Sequence, residues 1–223
     1  MPLGVIAAAR RGKALSGLVR LLWMAGIAIP PFTVGLALQV FFGYELHYKA
    51  IIGQISGPLP AHVTGMLWVD SLLTFNWPAF VNTSQHLFLP EIALSLAGIG
   101  QIAQLTYSGM LDQTQEDYYL GLKAFGASSL AADFKYALRS ALVPVLTVLG
   151  LLYASLIANA FLVEEVFSWG GLSTYAVTAM QSDDFNAIVA TVLVIGLFYV
   201  ILNLAIDLSL GYVDPRIRLG EGQ

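Results

Sequence analysis

The chain has 223 residues, 57% of them hydrophobic and only 11% charged, with a mean hydropathy of +0.75. Soluble domains carry about a quarter charged residues, so this composition belongs to an integral membrane protein. A dispersed net charge of −4 gives no footing for nucleic acid or acidic lipid, and the lack of cysteine excludes disulfides and thiolate metal sites.

Residues 1–9 are apolar and run straight into Arg10, Arg11 and Lys13, with Arg20 beyond. Nine residues make about 14 Å of helix, less than half a hydrocarbon core, so the segment reads as the stub of a helix. Its basic cluster follows the apolar run, the reverse of a signal peptide. Residues 21–44 are charge-free and long enough to span, although Pro30 and Pro31 should kink or split the helix. In residues 45–85, Gly53, Gly57, Pro58 and Pro60 mark turns, and residues 66–75 suit a short interfacial helix. Tyr48, Trp68 and Trp77 suit the headgroup zone, and the polar run 76–86 is not expected to cross. His47, His62 and His86 lack metal-ligand spacing and read as polar loop histidines. Residues 86–110 form the second span, carrying Glu91 near the start and Gln101, Gln104 and Thr106 further along. Those polar groups should face neighbouring helices.

Residues 112–139 form a polar interlude. The segment begins as a charged amphipathic run, breaks at Phe125, Gly126, Ala127 and Ser128, and resumes with Lys135 and Arg139. Gly126 supplies the backbone freedom to end one helix, and Ser128 or Ser129 can cap the next. Leu130, Phe134, Ala137, Leu138 and Ala141 then recur at helical spacing, leaving Asp133, Lys135 and Arg139 on the other face. Such a hairpin suits a membrane surface or the groove of a soluble partner.

Residues 140–163 form the third span, where Gly150, Ala154 and Ala158 offer a small-residue face to another helix. A loop follows over 164–184, with a turn at Trp169, Gly170 and Gly171 and a short amphipathic helix around Leu172, Tyr175, Ala176 and Ala179. Residues 185–212 are the fourth span, ended by Pro215. It carries Asn203 and Asp207 one turn apart, and Asp207 reads either as a functional intramembrane acid or as a structural hydrogen bond about two turns from Asp214.

The expected fold is therefore all-α and polytopic: four full transmembrane helices plus an N-terminal stub, in one domain over 1–223. Nine of the ten basic residues fall in segments that four spans place on one side, and only Lys49 falls on the other. The positive-inside rule then makes both termini and the 112–139 hairpin cytoplasmic.

Four stretches carry a family resemblance in order: LGVIAAARRG at 3–12, the run from Tyr118 through Gly126 to YALRSALVPVLTVLG at 136–150, EEVFSWGGL at 164–172, and NLAIDL with VDPRIRL at 203–208 and 213–219. Together they resemble ATP-binding-cassette importer permeases of the dipeptide, oligopeptide and nickel branch, with a type I importer fold. The resemblance implies that the 112–139 loop is the coupling helix seated in an ATPase subunit, with Tyr118, Lys123, Ala124, Phe125, Gly126, Ala127, Ser128, Lys135 and Arg139 at or near that contact. It implies a second permease, two ATPases, an extracytoplasmic solute-binding protein and a place in the cell membrane, inner or plasma. ATP is bound by the ATPases, since this chain has no GxxxxGKS/T loop, and the chain is expected to be neither enzyme nor cofactor binder. Relatives carry an Arg-Thr-Ala-Arg-Ala-Lys run where this chain has LGLKAF at 120–125, and arginines where it has Gln104 and Tyr107. They also begin with a further membrane helix, an outward segment and a second helix, so the chain reads as N-terminally truncated. The alternatives are a shortened permease with an assembly or regulatory role, or a permease for nickel or an oligosaccharide. An intramembrane enzyme would need paired aspartates, a Ser-His pair or HExxH within spans, and Asp207 stands alone.

Overall fold

The computed structural model describes residues 2–9 and 14–213. Arg10, Arg11, Lys13, Asp214, Pro215, Arg216 and Arg218, used above for charge and helix ends, lie outside the described residues. Among the described residues every regular element is helical. They are α1 (Pro2–Ala9), α2 (Ala14–Ala28), α3 (Pro31–Val40) with a π-helical extension Phe41–Glu45, α4 (Leu67–Leu73), α5 (Trp77–Gln113), α6 (Asp117–Ala124), α7 (Ser129–Ala131), α8 (Leu138–Val166), α9 (Leu172–Gln181) and α10 (Phe185–Val213).

Pro30 and Pro31 decide the first departure from expectation. A residue before proline is pushed out of the α region, and Pro30 accordingly sits at φ −59°, ψ 139°, with Pro31 opening the next helix. Residues 21–44 are thus not one helix. Among the described residues, three helical stretches are long and apolar enough to cross a membrane unaided, Trp77–Gln113, Val148–Val166 and Phe185–Ser209, and Ser16–Ala28 with Pro31–Glu45 makes a fourth only if the broken pair is counted together. The span expected from residue 86 starts at Trp77, because the Asn76 side chain caps it by accepting from the Ala79 amide at 3.2 Å. Its 37 residues measure about 55 Å, against about 30 Å of hydrocarbon, so polar turns at its ends stand outside the apolar layer.

The chain divides into two compact units. The first comprises the described parts of 1–28, 97–155 and 195–223. Here α1 packs on α5 with no room for a side chain at Gly4, whose β-position meets the Ala103 carbonyl and lies 2.7 Å from Thr106 Cβ. Ala7, Val19, Trp23 and Ala103 make one buried cluster, and Val5, Met110, Tyr119, Ala132, Ala137 and Ala141 make another. The Ser16 hydroxyl donates to the Ala7 carbonyl at 2.9 Å, giving an orphan acceptor at the end of α1 a partner. Of the expected small-residue face, only Gly150 is buried; its missing side chain makes space for the Asn203 amide of α10.

The second unit comprises 29–96 and 156–194. Leu89, Ala93, Val163 and Phe167 are its core, packed by Phe32, Val34 and Leu38 of α3. The irregular stretch between Leu46 and α4 is held by specific polar bonds. Gln39 Nε2 donates to the carbonyls of Ile51 and Val166 at 3.0 Å each, and the Gly53 amide donates to the Phe167 carbonyl at 2.8 Å. Buried Asp70 accepts from the Thr64 hydroxyl at 2.6 Å, the Thr64 amide at 2.7 Å and the Gly65 amide at 3.1 Å. The Thr64 side-chain bond, with help from these amides and against the effect of burial, holds the Asp70 carboxyl at about 2. His86 is not a loop histidine: it is 2% exposed, with Nε2 at 2.7 Å from the Ser56 hydroxyl and Nδ1 at 2.9 Å from the Asn82 carbonyl. The helix that reaches back to Trp77 carries it into the interior.

Candidate functional site

The hairpin that interrupts the membrane helices is built from α6, a four-residue turn and α7. Its turn closes the end of α6 and caps the start of α7. At the end of α6 the Gly126 amide donates to the Lys123 carbonyl and the Ala127 amide to the Leu122 carbonyl, each at 3.0 Å. These are the paired bonds of a Schellman motif, which requires a left-handed residue, and Gly126 supplies it at φ +83°. A β-carbon there would meet nothing within 4 Å, so the requirement for glycine is one of backbone conformation alone. Ser128 is the residue that caps the next helix, accepting from the Ala131 amide at 3.3 Å.

Beyond α7 the chain winds as a π-helix over Ala132–Ala137 before α8 begins at Leu138. The wider i→i+5 turn breaks the 3.6-residue period. The expected division of faces is broken at Asp133, which turns inward to 8% beside buried Ala137 and Ala141 instead of lying with Lys135 and Arg139, while Leu130 stays 70% and Phe134 50% exposed. The inward turn brings Asp133 to Tyr119 of α6. The buried phenol donates to Asp133 Oδ1 at 2.6 Å, closing the hairpin across fourteen residues. Burial first, then the Asp133 carboxylate, pushes the Tyr119 hydroxyl up to about 12, so it stays protonated as the donor. Lys123 Nζ lies over the outer face of the same ring, 5.1 Å from its centroid.

The candidate residues thus separate. Phe125 is 95% exposed, and Tyr118, Lys123, Ala124, Gly126, Ser128, Lys135 and Arg139 are exposed as well, with Ala127 half-buried. The Tyr118 hydroxyl donates to Gln113 Oε1 at 2.8 Å, and Lys135 Nζ stands 5.7 Å from the Tyr136 ring centroid. With Leu120, Leu130 and Phe134 exposed too, the hairpin leaves large apolar side chains uncovered, the composition of a contact surface. Sequence reasoning did not find the buried Tyr119–Asp133 bond or the packing of Val5 from α1 against this hairpin. Neither leaves a periodic trace. At Tyr107 a guanidinium is nevertheless present: Arg20 of α2 stands 5.3 Å from the Tyr107 ring centroid, and the Trp23 ring packs tilted against the same ring at 5.4 Å. Asn203 and Asp207 are not brought into a shared site; Asn203 is half-buried against Gly150 and Asp207 is exposed.

Residues 1–219 match the family described as binding-protein-dependent transport system inner membrane component. The chain is 38% identical over 225 residues to the "Probable D,D-dipeptide transport system permease protein DdpB" of Escherichia coli (strain K12), covering 100% of this chain and 66% of that relative. It is 34% identical over 216 residues to the di/tripeptide transport system permease protein DppB of Pseudomonas aeruginosa, covering 96% and 64%. It is 31% identical over 222 residues to the dipeptide transport system permease protein DppB of Escherichia coli (strain K12), covering 98% and 66%. The chain therefore spans a little under two thirds of the length of these curated relatives.

Proposed function

The chain belongs to the binding-protein-dependent transport system inner membrane components, and from that membership we propose that it is a permease subunit of an ATP-driven importer of di- and oligopeptides. The relatives named for dipeptide and di/tripeptide transport support the solute class. In this reading the chain pairs with a second permease, receives solute from an extracytoplasmic binding protein and is driven by two ATPase subunits. Both termini and the hairpin face the cytoplasm.

The observation that carries the reading is the hairpin's construction. Exposed Phe125 stands at the tip of a turn closed by the paired Gly126 and Ala127 amide bonds, and Tyr119 and Asp133 lock its two arms. The second arm runs through the π segment into α8 without a break. A displacement of the tip by a closing ATPase is then passed to a membrane-crossing helix instead of being absorbed by a loop, and the solute path switches its open side. The lock and the tip do different work: one keeps the lever stiff, the other makes the contact.

The chain has no cysteine, so a single introduced thiol reports its own surroundings. Phe125→Cys, in the assembled importer, should crosslink to the ATPase subunit, and should resist a membrane-impermeant maleimide added outside intact cells. Labelling from outside, or crosslinking to no subunit, would overturn the assignment.

A further inference from the structure

A cavity of about 470 Å3 lies within the second unit, and its chemistry is not that of the hairpin. Glu91 of α5, Trp68 of α4, Gln54, and Trp169, Gly170 and Gly171 of the turn after α8 line it. Among the described residues no hydrogen bond or ion pair reaches Glu91, although it lies on a membrane-crossing helix. A carboxylate on such a helix is expensive unless it meets water or a cation, and Glu91 is exposed toward this space.

The walls around it are built. Trp68 is fixed by donation from Nε1 to the Ser84 hydroxyl at 3.0 Å and by the Phe80 ring at 5.1 Å. The Trp169 amide donates to the Glu164 carbonyl at 3.0 Å, and Gly170, left-handed at φ +71°, presents its carbonyl to Gln54 Nε2 at 3.5 Å. A side chain at Gly171 would have to displace the Glu164 carboxylate, whose Oε1 stands 2.6 Å from its β-position. That carboxylate is itself held by the Ser173 amide at 3.0 Å and hydroxyl at 2.6 Å. One free carboxylate, an anchored Trp68 indole with Trp169 beside it in the lining, and an amide, with no basic side chain among them, make an environment that selects a cation over an anion or a neutral group. A single carboxylate is too few ligands for a metal ion, whereas an ammonium needs one counter-charge, hydrogen-bond acceptors and an aromatic face.

We infer that this cavity binds a primary ammonium group, and that its source is the α-amino terminus of the solute. The inference rests on the peptide-import reading for that source, while the ammonium chemistry rests on the cavity alone. An ethanolamine lipid headgroup presents the same chemistry and has to be distinguished.

The test uses the assembled importer, without its extracytoplasmic binding protein, in phosphatidylglycerol nanodiscs, with alanyl-alanine amide and its N-acetylated form as probes. The cationic probe should bind about tenfold more tightly than the acetylated one; Glu91→Gln should abolish that difference and Glu91→Asp should keep most of it. Equal binding of the two probes to the native complex, or a preference that survives Glu91→Gln, would overturn the proposal. Loss of the cationic probe when half the lipid is replaced by phosphatidylethanolamine would give the cavity to lipid and overturn the solute assignment. Uptake of alanyl-alanine by the same complex with its binding protein restored tests the peptide reading separately. Failure of uptake with ammonium binding intact removes the peptide reading and not the cation site.

Discussion

Replacing Tyr119 by Phe removes one oxygen atom from the hairpin and little else. The ring stays in its cluster with Val5, Met110 and Ala132, and Lys123 keeps an aromatic face. What disappears is the 2.6 Å donation to Asp133 Oδ1, and the 8% exposed carboxylate is left without that donor. A hydrogen bond to a charged group contributes about 1.5–3 kcal/mol, and the cost of the stranded acceptor works in the same direction. If the hairpin opens locally before its amides exchange, exchange in α6 should rise about ten- to 150-fold. Hydrogen–deuterium exchange of the purified importer, read on peptides covering 117–127, measures this directly. Asp133→Asn keeps an acceptor for the phenol and should loosen α6 less. Exchange in Tyr119→Phe within about twofold of native would refute the claim that this bond locks the arms.

The turn gives a second prediction. Gly126→Ala should cost about 1–2 kcal/mol from left-handed strain alone, and Gly126→Asn less, because Asn tolerates that conformation. The same exchange measurement checks both, and equal damage from Ala and Asn would point to something other than backbone conformation. Asp70 sets a pH window in the second unit. Its carboxyl is lowered from 3.8 to about 2, so the stability it contributes is present above pH 3.8 and is lost as pH falls through about 2. Pepsin should therefore cut residues 57–66 of the native chain slowly at pH 4 and faster toward pH 2, whereas Asp70→Asn should be cut readily throughout. A native chain cut equally fast at both ends of that range would refute the role of Asp70.

Much of this architecture was legible in the residues because it obeys periodicity or local turn chemistry. Low charge and long apolar runs announced a helical membrane protein, Gly126 followed by Ser128 marked a helix end and a cap, and residues 66–75 announced the short helix α4. Each depends on neighbours within a turn or two of chain. The break at Pro30 was half legible: proline chemistry requires a disruption, and the conformation of Pro30 made it a full break between helices. Tertiary structure decided the rest. Asp133 turned inward because a π segment shifted its register onto Tyr119, His86 became buried because α5 begins nine residues early, and Gly150 mattered because Asn203 came to lie against it. Glu91, Trp68 and Trp169 were each visible as single residues. That they line one cavity depends on three separate elements converging. Local sequence determines which helix a residue joins and where that helix ends, whereas partners far apart in the chain are chosen by packing, which leaves no period to read.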